Sequence, residues 1–503
     1  MSKLKGLNRQ SLLKVLSIIV ICSLSLTAFA SCSGRQTARS TRKHRRSDRE
    51  EEETKKTKET EDTGETTETE LTDWTEDPTY MTGAIVPDKE PIVIYSYNDE
   101  AVRIIEDFKM LHPDFEYDFE YEIVTSGYVD YVNAVEGSLR SANSGDVDIF
   151  FAESAYVAYF TKGDDSYYVA PYTDFGIDVE AGVFEAKIAP FSVDMGTRDY
   201  DGKVVGLSYQ TCGGCMIYRA DIAKEVFGTD DPSEISEIMG GGTGSFDKMW
   251  KAAEELKKNG YALVSGPADI YRMLDCQSSS SWNVDGGLNI SAERSIYMDY
   301  AKMLIDKDYC NGTAEWTGEW YADMGGNGPR EVFCFFGPSW FISFFIADWG
   351  SNLSGQYRIG QAPMDFYWGG TWVIPSLKAS ASDPERKAAI AEVLEWITLD
   401  SSDTGLQYRY ANDLINYSGA KSTVASMEVM AKTDGSSAFL GGQNIYDYYL
   451  SAGKSAKVEN IYQYDDEIGS LYKQSVYEYA TGEKDLTTML NDFSLQVYGS
   501  GYI

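Results

Sequence analysis

The chain alternates between strand-like and helix-like patterns in five successive segments. Residues 92–97 and 147–152 are short apolar runs rich in β-branched and aromatic residues, which is typical of buried strands. Residues 115–123 alternate apolar and polar positions and predict a third strand. Apolar stripes at helical spacing cover residues 99–111 and 128–141. This order predicts an α/β fold in which parallel strands are joined by helical crossovers.

Polar side chains follow these predicted strands. Asn98 and Asp99 come after the strand at 92–97, and Glu153 comes after the strand at 147–152. Ligands of parallel sheets bind beyond the carboxyl ends of the strands, so these residues share one candidate rim. Gln210 lies where the chain leaves this set of elements. We predict ligand contacts at all four residues, and for Glu153 a solvated rim carboxylate is an equal alternative.

The segments after residue 209 predict a second set of strands and helices. Residues 332–349 form a very apolar run that Gly337 and Pro338 interrupt. This run predicts a buried strand leading into a helix rather than a membrane span. Ser245 and Asp383 precede helical stripes, and two more stripes lie near the C-terminus. The roughly 410 residues from Pro91 onward are enough for two lobes, each with its own core.

Residues 1–31 have the pattern of a secretory signal peptide. A basic segment precedes a 16-residue apolar run, and small residues then lead to Cys32. Ala30-Ser31-Cys32 resembles the end of a bacterial lipobox, which predicts a lipid on Cys32. Cleavage after Ala30, which would release a free protein, stays an alternative.

Residues 32–90 predict a disordered tether. The segment begins basic and becomes rich in glutamate, threonine and lysine, with few apolar residues. Such a composition cannot bury enough surface to offset the entropy of ordering. A flexible chain of this length spans on the order of 40 Å, which suits a link between a lipid and a globular part. A disordered tail without this role is the alternative.

Charge and residue counts exclude several classes of function. The chain has 79 acidic against 44 basic residues, a surface that repels phosphate backbones, so we expect no nucleic-acid partner. The only histidines in the sequence are His44 and His112. The sequence therefore predicts neither a zinc site nor a serine–histidine catalytic site, and we expect no metal or cofactor. Cys212 and Cys215 have redox spacing without a clear helix N-terminus, which predicts two buried cysteines or a local disulfide.

Several segments resemble, in order and spacing, motifs of family 1 extracellular solute-binding proteins. The resemblance extends from Pro91 to the C-terminus, and it is closest to a tyrosine-rich branch from anaerobic Gram-positive bacteria. The segments that carry it are residues 201–210, residues 217–223, Phe336-Gly-Pro-Ser-Trp340, and Gly369-Gly-Thr-Trp372 followed by Asp383-Pro-Glu-Arg.

The resemblance implies a two-lobed, class II periplasmic-binding-protein-like fold with a ligand cleft between the lobes. Lobe 1 would comprise 91–208 and 367–412, and lobe 2 would comprise 209–366 and 413–503. It further implies a monomeric carbohydrate-binding lipoprotein on the extracellular face of the membrane. Such a protein captures a sugar or another small polar solute, closes about a hinge and delivers the ligand to the permease subunits of an ABC importer.

Aromatic residues near the implied cleft predict a stacking surface for sugar rings. Trp340 lies at a predicted helix start, and Trp368 and Trp372 flank a predicted Gly-Gly-Thr turn. Flat rings suit the apolar C–H faces of a sugar. Glycine-proline-tryptophan aromatics stack on sugars in the family, so the resemblance favours Trp340. Core packing is an equal alternative for each of these rings.

Two other functional classes remain open at this stage. A surface glycoside hydrolase would use a pair of carboxylates, although no spacing in the sequence identifies such a pair. A polysaccharide-docking protein without transport is the other alternative. We expect no enzymatic activity, and a peptide or polyamine remains an alternative to sugar as the ligand.

Overall fold

The computed structural model describes residues 89–141, 146–416 and 421–503. The predicted signal peptide, Cys32 and the predicted tether up to residue 88 lie outside the described residues. Within the described ranges, no helix is both long enough and apolar enough to cross a bilayer.

Four sheets occur in the described part of the chain, and two of them are large enough to organise the core. The strands are β1 (Ile92–Ser96), β2 (Phe119–Ile123), β3 (Ile149–Glu153), β4 (Leu207–Gly213), β5 (Cys215–Arg219), β6 (Asn283–Val284), β7 (Gly287–Leu288), β8 (Cys334–Gly337), β9 (Tyr357–Gly360), β10 (Tyr367–Pro375), β11 (Ser436–Ser437) and β12 (Gln443–Asn444).

Helices cover most of the sequence between the strands. A π-helical segment, Ile342–Ile346, continues the short helix Ser339–Phe341 and leads into Ala347–Trp349. The other α-helices are Glu100–Leu111, Tyr128–Leu139, Val157–Thr161, Val179–Ala186, Pro190–Met195, Ala220–Phe227, Pro232–Met239, Asp247–Lys258, Tyr271–Asp275, Ala292–Asp306, Gly318–Met324, Leu377–Ser380, Pro384–Thr398, Leu406–Ala411, Met427–Lys432, Tyr446–Ser455, Asp465–Ala480 and Leu486–Gly499.

The larger sheet has the strand order β2-β1-β3-β10-β4. β1 pairs in parallel with both β2 and β3, which confirms the predicted parallel strands with helical crossovers. β10 is antiparallel to β3 and β4 and closes the other side of this sheet. The carboxyl ends of β1 and β3 therefore meet at one edge, where Asn98, Asp99 and Glu153 were predicted to lie.

The smaller sheet has the order β8-β5-β9 and is fully antiparallel. Gly214 is the single residue between β4 and β5, so the chain passes directly from the larger sheet to the smaller one. The predicted strand-to-helix change at Gly337 and Pro338 is confirmed, because β8 ends at Gly337 and a helix begins at Ser339. One contiguous core includes Ile94 of the larger sheet and Ile217 of the smaller sheet.

The predicted turn at Gly369-Gly370-Thr371 is wrong. These residues lie inside β10, where Gly370 pairs with Thr211 of β4 and Thr371 pairs with Glu153 of β3. The glycines have φ values of 99° and 135°, and the register of β10 against β4 shifts around them. The glycines therefore form an irregularity of the β-bulge kind, which bends a strand without reversing it.

Candidate functional site

Three polar residues form a row across the larger sheet. Thr371 of β10 is directly opposite Glu153 of β3 on one side and Gln210 of β4 on the other. The hydroxyl groups of Tyr97 and Thr371 are hydrogen-bonded at 2.8 Å, so Tyr97, just beyond β1, joins the same row. The structure thus brings together two predicted site residues, Glu153 and Gln210, and adds Tyr97 and Thr371.

The Glu153 carboxylate is held by local donors. Its Oε1 accepts a hydrogen bond from the Ser154 hydroxyl at 2.8 Å, and its Oε2 accepts from the Ala155 backbone N–H at 2.7 Å. Burial raises the pKa of Glu153 above its ordinary value, because the charged form loses its water. The carboxyl is therefore fixed in position at the end of β3, and it is not the freely solvated rim group of the alternative interpretation.

Gln210 belongs to a hydrogen-bond network centred on Glu100. The Gln210 Nε2 donates to the Tyr410 hydroxyl at 3.2 Å, and this hydroxyl donates to Glu100 Oε1 at 3.0 Å. The Tyr209 hydroxyl and Asn416 Nδ2 also donate to the Glu100 carboxylate, at 2.7 Å and 3.0 Å. Both carboxylate oxygens of Glu100 therefore accept hydrogen bonds. Gln210 of β4 joins this network through the Tyr410 hydroxyl.

Asn98 and Asp99 lie at the predicted rim, where their side chains make local contacts. The Asn98 Oδ1 accepts from the backbone N–H of Glu100, the first residue of helix Glu100–Leu111, at 3.0 Å. The exposed Asp99 carboxylate forms an ion pair with Arg103 at 2.8 Å. Both side chains are therefore occupied at the helix start, and their contact with a ligand stays a prediction.

Trp340 and Trp368 form a half-buried aromatic pair. Their ring centroids are 5.1 Å apart at an interplanar angle of 71°, and the Trp340 Nε1 donates to the Trp368 carbonyl oxygen at 3.1 Å. Trp316 extends the pair, with its ring 5.7 Å from Trp368. Trp316 has a φ of 64°, an uncommon conformation for a bulky residue that is often found at functional sites. Each of these three rings keeps an exposed portion.

Trp372 has a different environment. Its ring is fully buried against Phe150 and Ala152, and its Nε1 donates to the Ser192 carbonyl oxygen at 2.8 Å. An indole that is enclosed and hydrogen-bonded in this way packs a core. For Trp372 the structure therefore favours the core alternative over a ligand contact.

Arg272 places a positive charge beside the aromatic pair, although it is far from both tryptophans in the sequence. Its guanidinium lies 5.5 Å from the Trp368 ring centroid and donates to Asp466 Oδ1 at 3.2 Å. Arg272 and Asp466 are both close enough to Glu153 to affect the pKa of its carboxyl. The buried Nε of Arg272 has no hydrogen-bond partner among the described residues. A polar ligand oxygen is the kind of group that would satisfy this donor.

Glu467 joins two parts of the molecule that are far apart in sequence. Its Oε1 accepts hydrogen bonds from the hydroxyls of Tyr159 and Tyr128, the latter at 3.4 Å. Burial raises the pKa of Glu467 to about 7. Neither Arg272 nor Glu467 was predicted, because nothing in the local sequence of helices Tyr271–Asp275 and Asp465–Ala480 separates these residues from ordinary polar helix positions.

The cysteines do not form a reactive centre. Cys212 and Cys215 are free and buried, which confirms the buried-cysteine interpretation and excludes the local disulfide. Burial raises the pKa of both thiols well above the ordinary value, so neither is a ready nucleophile. Across the described ranges, no cluster of three or more histidine, cysteine, aspartate or glutamate side chains is arranged to hold a metal ion.

Solved structures with the same overall architecture support a two-lobed α/β fold. An extracellular solute-binding protein of family 1 has a TM-score of 0.65 at 12% identity, over 82% of this chain and 100% of the other. The sugar-binding protein MalE from Xanthomonas citri has a TM-score of 0.58 at 11% identity, over 81% and 96% of the chains. The galacto-N-biose-/lacto-N-biose I-binding protein from Bifidobacterium longum, in complex with lacto-N-biose, has a TM-score of 0.57 at 14% identity, over 82% and 99%.

At these identities the likeness shows the fold alone. No curated protein matches the chain. The family model of bacterial extracellular solute-binding proteins matches residues 103–458, which include the aromatic pair and every strand of the two large sheets except β1. The chain therefore belongs to the family of bacterial extracellular solute-binding proteins.

Proposed function

We propose that this protein captures a sugar or oligosaccharide between its two lobes and delivers it to the permease of an ABC importer. The observation that carries the proposal is the half-buried pair Trp340 and Trp368 beside the polar row Glu153–Thr371–Gln210. Flat rings for C–H faces and fixed polar groups for hydroxyls are the two requirements of a sugar site. That two of the similar structures are described as binding sugars supports the same ligand class.

The cleft would lie between a lobe of residues 91–208 and 367–412 and a lobe of residues 209–366 and 413–503. Arg272 of the second predicted lobe lies 5.5 Å from the Trp368 ring of the first, so side chains from both predicted lobes meet at the proposed cleft. Closure of the lobes would bring both groups against one ligand. We further propose that a lipid on Cys32 holds the monomeric protein at the extracellular face of the membrane through the predicted tether of residues 32–90.

Calorimetry of the purified protein with mono- and oligosaccharides tests the ligand class. We expect a saccharide to bind and to raise the melting temperature, because a ligand held only by the folded state stabilises that state. Binding of a peptide or polyamine, with no response to any saccharide, would overturn the carbohydrate assignment.

The same saccharides test the hydrolase alternative, for which no observation of the structure argues. We expect each saccharide to be recovered intact after prolonged incubation with the protein. Release of shorter products, abolished by Glu153→Gln, would establish a hydrolase instead. Reconstitution with the membrane permease tests the transport role, because a docking protein without transport would bind the sugar and leave ATP hydrolysis by the importer unchanged.

A further inference from the structure

A side-chain contact joins two parts of the molecule that pack in separate hydrophobic clusters. Helices Tyr128–Leu139 and Val157–Thr161 pack in one cluster with Phe150 of the larger sheet. Helix Asp465–Ala480 packs in another cluster with Met216 of the smaller sheet. The first two helices fall in predicted lobe 1 and the third falls in predicted lobe 2, so a contact between them joins the two lobes.

Glu467 is the centre of this contact. Its Oε1 accepts a hydrogen bond from the Tyr128 hydroxyl at 3.4 Å and another from the Tyr159 hydroxyl. Beside it, the Asp164 backbone N–H donates to the Gln463 Oε1 at 3.4 Å. Both bonding groups therefore connect the start of helix Asp465–Ala480 with the same part of predicted lobe 1.

The Glu467 carboxyl is buried without being fully hydrogen-bonded. Glu467 is 8% exposed, and its Oε2 is buried with no hydrogen-bond partner among the described residues. An ionised carboxylate is costly to remove from water when donors are too few, whereas the neutral acid is much less so. Burial accordingly raises the pKa of Glu467 to about 7. The contact therefore favours the protonated side chain.

The titratable groups around Glu467 are carboxyls and phenols. Its own segment contributes Tyr464, Asp465 and Asp466, and the segments packed against it contribute Tyr128, Tyr159 and Tyr502. Glu136 and Asp164 lie beyond Tyr464. Arg272 forms an ion pair with Asp466 at 3.2 Å. Ionisation of Glu467 therefore places a second negative charge next to Asp466.

We propose that the contact of Glu467 with the Tyr128 and Tyr159 hydroxyls is a pH-sensitive latch between the two lobes. The latch holds the lobes closed while Glu467 is protonated and releases them when Glu467 ionises, because water reaches the charge once the lobes part. A ligand between the lobes is then retained more firmly at acid pH and released more readily at alkaline pH. The latch would act on any solute bound between the lobes, so it goes beyond the proposed sugar ligand.

Single-molecule fluorescence energy transfer in the intact protein without ligand tests the latch. Dyes are coupled to p-azidophenylalanine in place of Thr173 and Lys251, which are exposed and lie in different predicted lobes. A contribution from a raised pKa is complete at low pH and is lost as the pH rises through the raised value. We therefore expect the wild-type ratio of closed to open molecules to fall by at least about tenfold between about pH 5 and about pH 8. Because no ligand is used, a failure of the proposed function leaves this measurement valid.

Two conservative variants locate the switch. Glu467→Gln keeps an acceptor for the two hydroxyls and does not titrate, so its lobes should stay closed at every pH. Tyr159→Phe keeps the ring and removes one hydroxyl, so it should have fewer closed molecules than wild type at low pH. Circular dichroism checks that both variants are folded at each pH.

Glu136→Gln and Asp465→Asn are matched controls. Burial also raises the pKa of these carboxyls, to about 7 for Glu136 and to about 8 for Asp465. Glu136 forms an ion pair with Arg140 in predicted lobe 1, and Asp465 accepts from the Tyr462 backbone N–H in predicted lobe 2. Each is thus held within one lobe, and we expect both variants to keep the wild-type response.

Four results would overturn the latch. A wild-type distance that does not change with pH removes the switch. A response that persists in Glu467→Gln, or that is lost in either control, assigns it to another carboxyl. A Glu467→Gln protein that is open at every pH shows that the neutral group does not hold the lobes. A Tyr159→Phe protein that closes as wild type does removes the hydroxyl contact from the switch.

Discussion

The indole Nε1 of Trp340 donates a hydrogen bond of 3.1 Å to the main-chain carbonyl oxygen of Trp368. Trp340 follows β8 of the smaller sheet, whereas Trp368 belongs to β10 of the larger sheet. The bond therefore fixes the orientation of one aromatic ring against the strand that carries the other. Rings that are held in this way need little ordering when a ligand binds, which favours affinity.

We expect Trp340→Ala to weaken sugar binding. Loss of one stacking contact and its buried area costs about 1–3 kcal/mol, so the dissociation constant should rise by roughly 5- to 150-fold. Calorimetry measures the affinity, and thermal unfolding without ligand measures the stability. Because Trp340 is only half-buried, we expect its melting temperature to stay close to that of wild type.

Trp372→Ala provides the contrasting variant. Trp372 is fully buried and its Nε1 donates to the Ser192 carbonyl oxygen, so truncation should cost about 3–5 kcal/mol of folding free energy. Its sugar affinity should be largely kept at temperatures where the variant stays folded. If Trp340→Ala shows this same pattern, Trp340 belongs to the core and not to the ligand site.

Gly369→Ala should disturb the aromatic pair without removing either ring. A methyl group at this position would lie 2.6 Å from the Trp340 Nε1, and the φ of 99° is unfavourable for alanine. We expect a loss of stability of about 1–3 kcal/mol together with an affinity that is lower by about tenfold. Calorimetry and chemical unfolding measure the two effects separately.

Gly442→Ala separates backbone strain from the clash. Gly442 has a similar φ of 90°, and a methyl group there would meet no atom within 4 Å. We expect a comparable loss of stability and an unchanged affinity. A Gly369→Ala protein with wild-type affinity would show that the Trp340 orientation is unimportant for binding.

Glu467 should make the stability of the protein depend on pH. Burial raises the pKa of Glu467 from 4.5 to about 7, so the folded protein binds a proton at this carboxylate more tightly than the unfolded chain does. For a group with a raised pKa, the stabilising contribution is complete below the unfolded pKa and is lost as the pH rises through the folded value. We therefore expect unfolding free energy to fall by on the order of 2 kcal/mol from this group between about pH 5 and about pH 8.

Urea unfolding of wild type and Glu467→Gln across this pH range isolates the contribution. The glutamine variant keeps an acceptor for the tyrosine hydroxyls and does not titrate, so its stability should depend less on pH. The groups that interact with Glu467 remain in both proteins, so the difference between the two pH profiles reports Glu467 together with its coupling to them; they are Asp465, Asp466, Tyr128, Tyr159, Tyr464 and Tyr502. Identical pH profiles for the two proteins would contradict the prediction.

Membrane fractionation tests the lipid on Cys32. We expect wild type in the membrane fraction and Cys32→Ala in the medium or retained as precursor, because the alanine variant has no thiol to receive a lipid. Equal release of both proteins would instead support cleavage after Ala30. Cys276→Ala is a useful control, because Cys276 is one of the free cysteines of the described residues.

The repeating elements of the larger sheet could be predicted because their signals are local. Periodicity within 92–152 is enough to place three strands and two helices, and the parallel pairing follows from their order. The site could be predicted only in part. Arg272 and Asp466 are 194 residues apart in sequence, and their contact depends on how helix Asp465–Ala480 packs. No pattern within either segment contains that information.

Trp368 and Trp372 show why a strand pattern does not settle which rings reach a ligand. In a regular strand, two residues four positions apart point to the same face. The irregularity at Gly369 and Gly370 breaks this relation, so Trp368 packs with Phe341 and Trp372 packs with Phe150 in a different cluster. The glycines are visible in the sequence, but their conformation is not. A turn at these glycines would leave Trp372 available to a ligand, whereas the observed irregularity places Trp372 in the core.

Trp349 is stacked on Tyr321 at 5.0 Å, and the π-helical segment Ile342–Ile346 makes this contact sensitive to chain length. Each residue of an α-helix turns the chain by about 100°, so deleting one residue from this segment would rotate Trp349 around the helix axis by roughly a quarter turn. Trp349 would then leave Tyr321 although every aromatic residue is still present. A related protein with the same aromatic residues but one residue fewer in this segment would have lost the stacked contact. An alignment that scores residue identity alone would report the contact as kept.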